Sequence, residues 1–330
     1  VNTRTRILIA VAGVVALAAA AIIYIGLAAA RSRDADTVGT AGSVTLSPGP
    51  RLLARSTSDG DRGHLFTVSA TDPSGPRAVS PVSCTRVYAA GGTGLCLRPD
   101  GDLTTYQLAV FNAQLTTERE IPLVGLPNRA RISTSGRMLT WTVFVTGDSY
   151  NGGMFSTRAG ILDTTTGDLA ATLEDYAVTV DGKPYQAADL NFWGVTFTRD
   201  DNRFFATMST AGHRYLVDGD FAAHTVRTVR ENVECPSLSP DDTRLAFKSA
   251  VDGDPAKGWR LSVLDLSTAA MTPLAETRSV DDQAAWIDGH TVAYAIPRGT
   301  DHADVWAVPA DGSAAPRLLI PDAESPTALG

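Results

Sequence analysis

Ser239-Pro-Asp-Asp-Thr-Arg-Leu-Ala-Phe247 reads as a tight turn running into a strand. Proline presets φ at the second turn position, aspartate bonds the backbone ahead of it, and Leu-Ala-Phe opens an apolar run. The phrase returns as Thr198-Arg-Asp-Asp-Asn-Arg-Phe-Phe-Ala206, Ser133-Thr-Ser-Gly-Arg-Met-Leu-Thr-Trp141 and Trp286-Ile-Asp-Gly-His-Thr-Val-Ala-Tyr294. Looser copies begin at Ala89 (Ala-Ala-Gly-Gly-Thr-Gly-Leu-Cys-Leu) and Ser47 (Ser-Pro-Gly-Pro-Arg-Leu-Leu-Ala). The starts at 47, 89, 133, 198, 239 and 286 are spaced by 42, 44, 65, 41 and 47 residues. Self-similarity at such a period marks an array of one supersecondary unit.

Around Ser239 the unit can be read strand by strand. Glu234 to Leu238 is a first strand, Arg244 to Ser249 a second, Trp259 to Asp265 a third and Met271 to Ala275 a fourth. Trp259, Leu261 and Val263 share one face by period-two alternation. Four strands in each unit of about 40–45 residues predict the blade of a β-propeller. The expected fold is therefore all-β, with six four-stranded antiparallel blades over residues 50–330. The 65-residue interval holds a predicted extra hairpin, Ala177 to Gln186 turning at Asp181-Gly182; the alternative is a seventh, degraded blade. Ser325-Pro-Thr-Ala-Leu329 is expected to close the ring as the innermost strand of blade 1, because a sheet array must hide its edges.

The remaining chain is organised differently. Ile7 to Ala30 is twenty-four residues without charge or proline. At about 1.5 Å per residue it crosses a bilayer core of roughly 30 Å. Ala28-Ala29-Ala30 would suit a signal-peptide cleavage site, but the apolar stretch exceeds the usual length of about 7–15 residues. The reading is an uncleaved anchor: residues 1–6 cytoplasmic, 7–30 a transmembrane helix, 31–49 a flexible linker, and the propeller on the extracytoplasmic side. Residues 1–40 carry four Arg and two Asp, so the rest holds −10 of a net charge of −8. Such a surface has no electrostatic footprint for nucleic acid. Only three of the 28 basic residues are lysine (Lys183, Lys248 and Lys257), a bias that points to no mechanism. Cys84 and Cys96 bracket a hairpin turn at Gly91-Gly92. They are either a disulfide, in a domain outside the cytoplasm, or two half-buried thiols on adjacent strands.

The Ser239 phrase, with Trp259-Arg-Leu-Ser-Val-Leu-Asp-Leu266 after it, resembles the PD40 (WD40-like) repeat of TolB-type β-propellers. From about Pro50 to Leu329 the chain is similar to single-pass, membrane-anchored TolB-like proteins of actinobacteria. Asn191-Phe-Trp-Gly-Val-Thr-Phe197, Glu234-Cys-Pro-Ser-Leu-Ser-Pro240 and Arg278-Ser-Val-Asp-Asp282 carry the likeness best. The resemblance implies a fold and no particular activity. It departs from TolB where a membrane anchor stands in place of an N-terminal α/β domain.

Motifs for chemistry are sparse. Gly147-Asp-Ser-Tyr-Asn-Gly152 has the wrong spacing for a nucleophile elbow. The five histidines are scattered through predicted turns, and no glycine-rich loop joins a strand to a helix, so no cofactor is implied. First strands line a propeller's channel, which brings polar residues at blade edges towards one mouth. Asp148, Tyr150, Asn191, Trp193, Asp281 and Asp282 are the candidate ligand-binding residues, with no catalytic residue assigned. The expected function is a non-enzymatic binding or scaffold module of the cell envelope, its partner an envelope protein or small polar ligand. The alternative is a metal-dependent hydrolase or lactonase using the channel carboxylates.

Overall fold

The computed structural model describes residues 43–101, 105–145 and 156–330. Blade 1 holds β1 (Arg51–Ser56), β2 (His64–Ser69) and β3 (Ala78–Ser83). Blade 2 follows as β4 (Arg86–Ala90), β5 (Thr93–Pro99), β6 (Tyr106–Phe111) and β7 (Thr117–Leu123). Blade 3 is β8 (Leu126–Ile132), β9 (Met138–Val145), β10 (Ser156–Asp163) and β11 (Leu169–Ala170). A hairpin of β12 (Ala177–Val180) and β13 (Lys183–Tyr185) precedes blade 4, which is β14 (Asn191–Phe197), β15 (Arg203–Thr210), β16 (His213–Asp220) and β17 (Thr225–Glu231). Blade 5 is β18 (Glu234–Leu238), β19 (Arg244–Ala250), β20 (Trp259–Asp265) and β21 (Met271–Pro273). Blade 6 is β22 (Ala285–Trp286), β23 (Thr291–Arg298), β24 (His302–Pro309) and β25 (Arg317–Ile320), and the chain ends with β26 (Ala323–Ala328).

Among the described residues these strands form six sheets, and β26 pairs antiparallel with β1, so the expected closure of blade 1 is present. Among the described residues the long interval contains no seventh blade. β12 adds to the outer edge of blade 4 by parallel pairing with β17, making that sheet six-stranded. The innermost strands β26, β4, β8, β14, β18 and β22 touch in succession around a ring. Each blade is covered on both faces, so its middle strands are buried on both sides rather than on alternate residues. Between blades 4 and 5, Phe205, Leu216, Leu238, Leu245, Phe247 and Leu264 form one such interior cluster. Burying a side chain such as Phe247 contributes about 1.5–3 kcal/mol.

The turn phrase does the same work in successive blades. Ser239 N donates to Arg244 O (2.8 Å), Ser239 Oγ to Asp241 Oδ1 (2.5 Å), and Asp242 is left-handed at φ 60°. Thr198, Asp200 and Asp201 (φ 55°) repeat the arrangement, as do Ser133 and Gly136 (φ 83°). These turns also latch to one another around one face of the ring. Ser135 Oγ donates to Asp201 Oδ1 (2.8 Å), Arg199 Nε to Asp242 Oδ2 (3.0 Å) and Arg244 Nη2 to Gly289 O (2.6 Å). Gly91, at φ 56°, lies so close to the next blade that a Cβ would stand 2.4 Å from Ser135 O. Two requirements, a left-handed backbone and no side chain, select glycine there.

Cys84 and Cys96 are bonded, with Cα atoms 5.5 Å apart, which resolves the two readings of that pair. Residues 43–49, placed in the linker by sequence, lie against blades 1 and 2. Val44 and Leu46 are buried, and Leu46 N donates to Ala113 O (2.8 Å) in the turn between β6 and β7. The chain thus enters the propeller on the face of the latched turns. The proposed membrane span lies outside the described residues. Among the described residues no helix is long and apolar enough to cross a membrane.

Candidate functional site

On the opposite face, where second strands turn into third strands, a cavity of about 410 Å³ opens among the inner ends of blades 3, 4 and 5 and the strand entering blade 6. The repeat builds it. Asn128, Trp193, Glu234 and Asp281 each stand five residues ahead of a turn phrase, and all four line the cavity. A β-bulge aims two of them. The registers of β14 and β18 slip after Trp193 and Glu234, where Gly194 (φ 63°) and Cys235 (φ 49°) take left-handed conformations. Bulges of this kind bend a strand and redirect its side chains. A Cβ on Gly194 would sit 2.7 Å from the Cα of Cys235, so the two bulges are packed together.

The floor of the cavity is an ion-pair network. Lys248 is only 4% exposed, and its Nζ bonds Asp281 Oδ1, stands 3.6 Å from Glu234 Oε2 and lies 4.2 Å from the centroid of the Trp259 ring. Arg214 Nε approaches Glu234 Oε1 at 2.6 Å, and Arg129 Nη2 lies 3.9 Å from Asp281 Oδ1. Burial works against the Lys248 ammonium, but the surrounding carboxylates prevail and hold it above its ordinary value. Burial also pushes Asp281 upward; Lys248, and then Arg129, more than cancel this and leave it below the ordinary carboxyl range. Glu234 differs: burial outweighs its two cations and raises it. Burial likewise pushes the Cys235 thiol up, which keeps it neutral and unreactive.

Of the residues singled out from the sequence, Asn191, Trp193 and Asp281 meet at this cavity. Asn191 is held there by its neighbours: its Oδ1 accepts from Ser156 Oγ (2.6 Å) and Thr157 N (2.9 Å), and its Nδ2 donates to Asp189 O (3.0 Å). It braces blade 4 against blade 3. Asp189 in turn accepts from Thr210 Oγ1 (2.7 Å) and Ala211 N (2.6 Å), and those bonds hold its carboxyl below the usual range. Trp193 is half-buried, with its ring on the cavity wall. Asp282 is not part of this cavity. It is buried and accepts from Ala295 N (3.0 Å) within blade 6, since adjacent residues of an extended chain point opposite ways. Asp148 and Tyr150 lie outside the described residues, between Val145 and Ser156.

Deeper along the axis the channel is crossed by side chains. Arg131 Nη2 donates to Ala284 O (2.9 Å) and its guanidinium stacks 4.4 Å from the centroid of the Tyr88 ring. Gln283 Nε2 donates to Pro236 O (3.0 Å). Among the described residues no three His, Cys, Asp or Glu side chains are grouped to hold a metal ion. The histidines are dispersed, with His213 Nδ1 2.5 Å from Glu231 and the His224 ring stacked on Tyr176 at 5.0 Å.

Sequence reading missed Lys248, Glu234, Arg129, Arg214 and Trp259. A signal for Lys248 was present. The place nine residues after the start of each phrase holds Ser56, Arg98, Thr142, Thr207, Lys248 and Ala295, so this copy alone carries a lysine there.

No family model matches this sequence, and no curated protein matches it. Many solved structures do match in fold. TolB from Acinetobacter baumannii superposes with a TM-score of 0.62 at 15% identity, over 85% of this chain and 67% of that one. A puromycin-hydrolysing peptidase of Mycobacterium tuberculosis gives 0.47 at 13%, over 85% and 52%. Hydrazine synthase of Kuenenia stuttgartiensis gives 0.45 at 14%, over 81% and 78%. At such identities the likeness concerns the fold alone, and the fold is that of a six-bladed, TolB-like β-propeller.

Proposed function

We propose that this chain is a membrane-tethered, extracytoplasmic binding module of the cell envelope that takes its ligand at the cavity of blades 3, 4 and 5. The observation that carries the reading is that cavity: a half-buried tryptophan and a set of polar groups held in place by a buried ion-pair network, on the face away from the chain's point of entry. The apolar stretch of residues 7–30 supports the tether, and the Cys84–Cys96 bond supports an oxidising compartment.

The hydrolase alternative needs carboxylates free to hold a cation. Asp281 faces Lys248 and Arg129, Asp282 accepts a backbone amide, and Asp189 accepts two hydrogen bonds. Positive neighbours repel a metal ion, so these residues support binding over catalysis.

Photo-crosslinking in native membranes tests the proposal. A photoreactive residue replacing Ser209 at the cavity is expected to capture an envelope component, and one replacing Gln114 on the turn face is not. Equal capture from both positions would defeat it. For the compartment, cells quenched in acid and alkylated should leave Cys84 and Cys96 unlabelled until reduction.

A further inference from the structure

We infer that the ligand taken at this cavity is a neutral saccharide, one sugar ring laid on the indole of Trp193. The inference rests on the cavity being the ligand site and goes on to its chemistry. Each of the three cations lining it already has a carboxylate: Lys248 with Asp281 and Glu234, Arg214 with Glu234, and Arg129 with Asp281. Asp189 lines the cavity as well, so three cations stand with three carboxylates and the lining offers no net charge to attract a charged ligand. A neutral ligand leaves the network intact.

Within that network the cavity still presents hydrogen-bonding groups suited to hydroxyls. Asp281 remains 69% exposed at its side chain although Oδ1 is tied to Lys248, so its carboxylate is open to accept from the cavity side. Asn128 and Ser209 add an amide and a hydroxyl that both donate and accept, and Thr157 Oγ1, whose proton goes to Phe192 O (3.0 Å), adds an acceptor. Adjacent sugar hydroxyls need that pairing of donor and acceptor. The aromatic component is asymmetric in the same sense. Trp259 is occupied by the Lys248 ammonium over its ring, whereas Trp193 offers its half-buried indole to the cavity. An apolar ring face beside convergent polar groups matches a pyranose, whose C–H faces are apolar and whose rim is hydroxylated.

The full chain in a sugar-free detergent, applied to an array of neutral oligosaccharides, uronate-containing oligosaccharides and peptides with free carboxylates, tests this. Neutral oligosaccharides are expected to bind. Trp193→Ala and Ser209→Trp, which fills the cavity without removing a core side chain, should each weaken binding at least about tenfold, and Trp193→Tyr should retain most of it. Tighter binding of the uronate or peptide probes, lost in Ser209→Trp, would overturn the saccharide while keeping the cavity as a ligand site. No neutral probe bound above the Ser209→Trp background would also overturn it. In that case capture from position 209 in native membranes still decides the binding-module reading separately.

Discussion

The two faces of this propeller are built from the same repeat and solve different problems. On the turn face each contact joins one turn phrase to the next blade's: Ser135 to Asp201, Arg199 to Asp242, Gly91 to Ser135. The groups lie near the surface and are bonded within or between adjacent turns. On the cavity face, the positions five residues ahead of each phrase carry four different side chains, Asn128, Trp193, Glu234 and Asp281. There the repeat supplies position only, and the identities differ. A latch repeated around a ring tolerates the loss of one member better than a single network whose members compensate each other's charge.

That contrast is sharpest at Lys248. Lys248→Ala leaves the buried Glu234 with Arg214 alone and Asp281 with the more distant Arg129, and is expected to cost about 3–5 kcal/mol, read as a lower urea midpoint. The double change Lys248→Met with Glu234→Leu should recover much of it, because the buried acid is then gone. A loss from Lys248→Ala no larger than that from a turn-face variant would remove the distinction between the faces. Next in size is the disulfide. Cys84→Ser with Cys96→Ser should cost about 3 kcal/mol by releasing a short loop in the unfolded chain, and reductant should reproduce the effect in the parent protein. Gly91→Ala follows, at about 1–3 kcal/mol, from a left-handed residue forced against Ser135. Ligand binding at the cavity should be unchanged in it.

The smallest effect is one of pH. Bonds from Ser239 and then Thr243 hold the Asp241 carboxyl down to about 2, below its value of about 3.9 in an unfolded chain. A depressed acid stabilises the fold above the unfolded value, and that contribution is lost as pH falls from about 4 through about 2. Asp241→Asn should therefore show a shallower decline in stability over that window. Glu234, raised by burial, has the opposite sign: its protonation is favoured in the folded state, so acid is expected to loosen the turn face at Asp241 while relieving Glu234.

Legibility in the sequence divides along the same line. Strands β18 and β20 were read to their final residue, and the ring closure by the C-terminal strand and the extra hairpin at Asp181-Gly182 were found. Trp193 and Asp281 were singled out as polar or aromatic residues at blade edges, and both reach the cavity. Asp282 was singled out by the same rule and lies elsewhere, because a one-residue step along an extended chain reverses a side chain. Lys248 was passed over as composition. Its meaning depends on Asp281, thirty-three residues away, and on Glu234 in the adjacent strand.

The amino-acid sequence by itself determined the repeat, its turns and how the ring closes. These rest on φ preferences, short-range hydrogen bonds and apolar runs contained within a few residues. Only the tertiary structure decided which side chains share the cavity, which carboxylates are already compensated, and that Cys84 and Cys96 are joined. Those outcomes depend on distances between blades and on bulge geometry, and electrostatic energy in a buried site is set by such distances rather than by order along the chain.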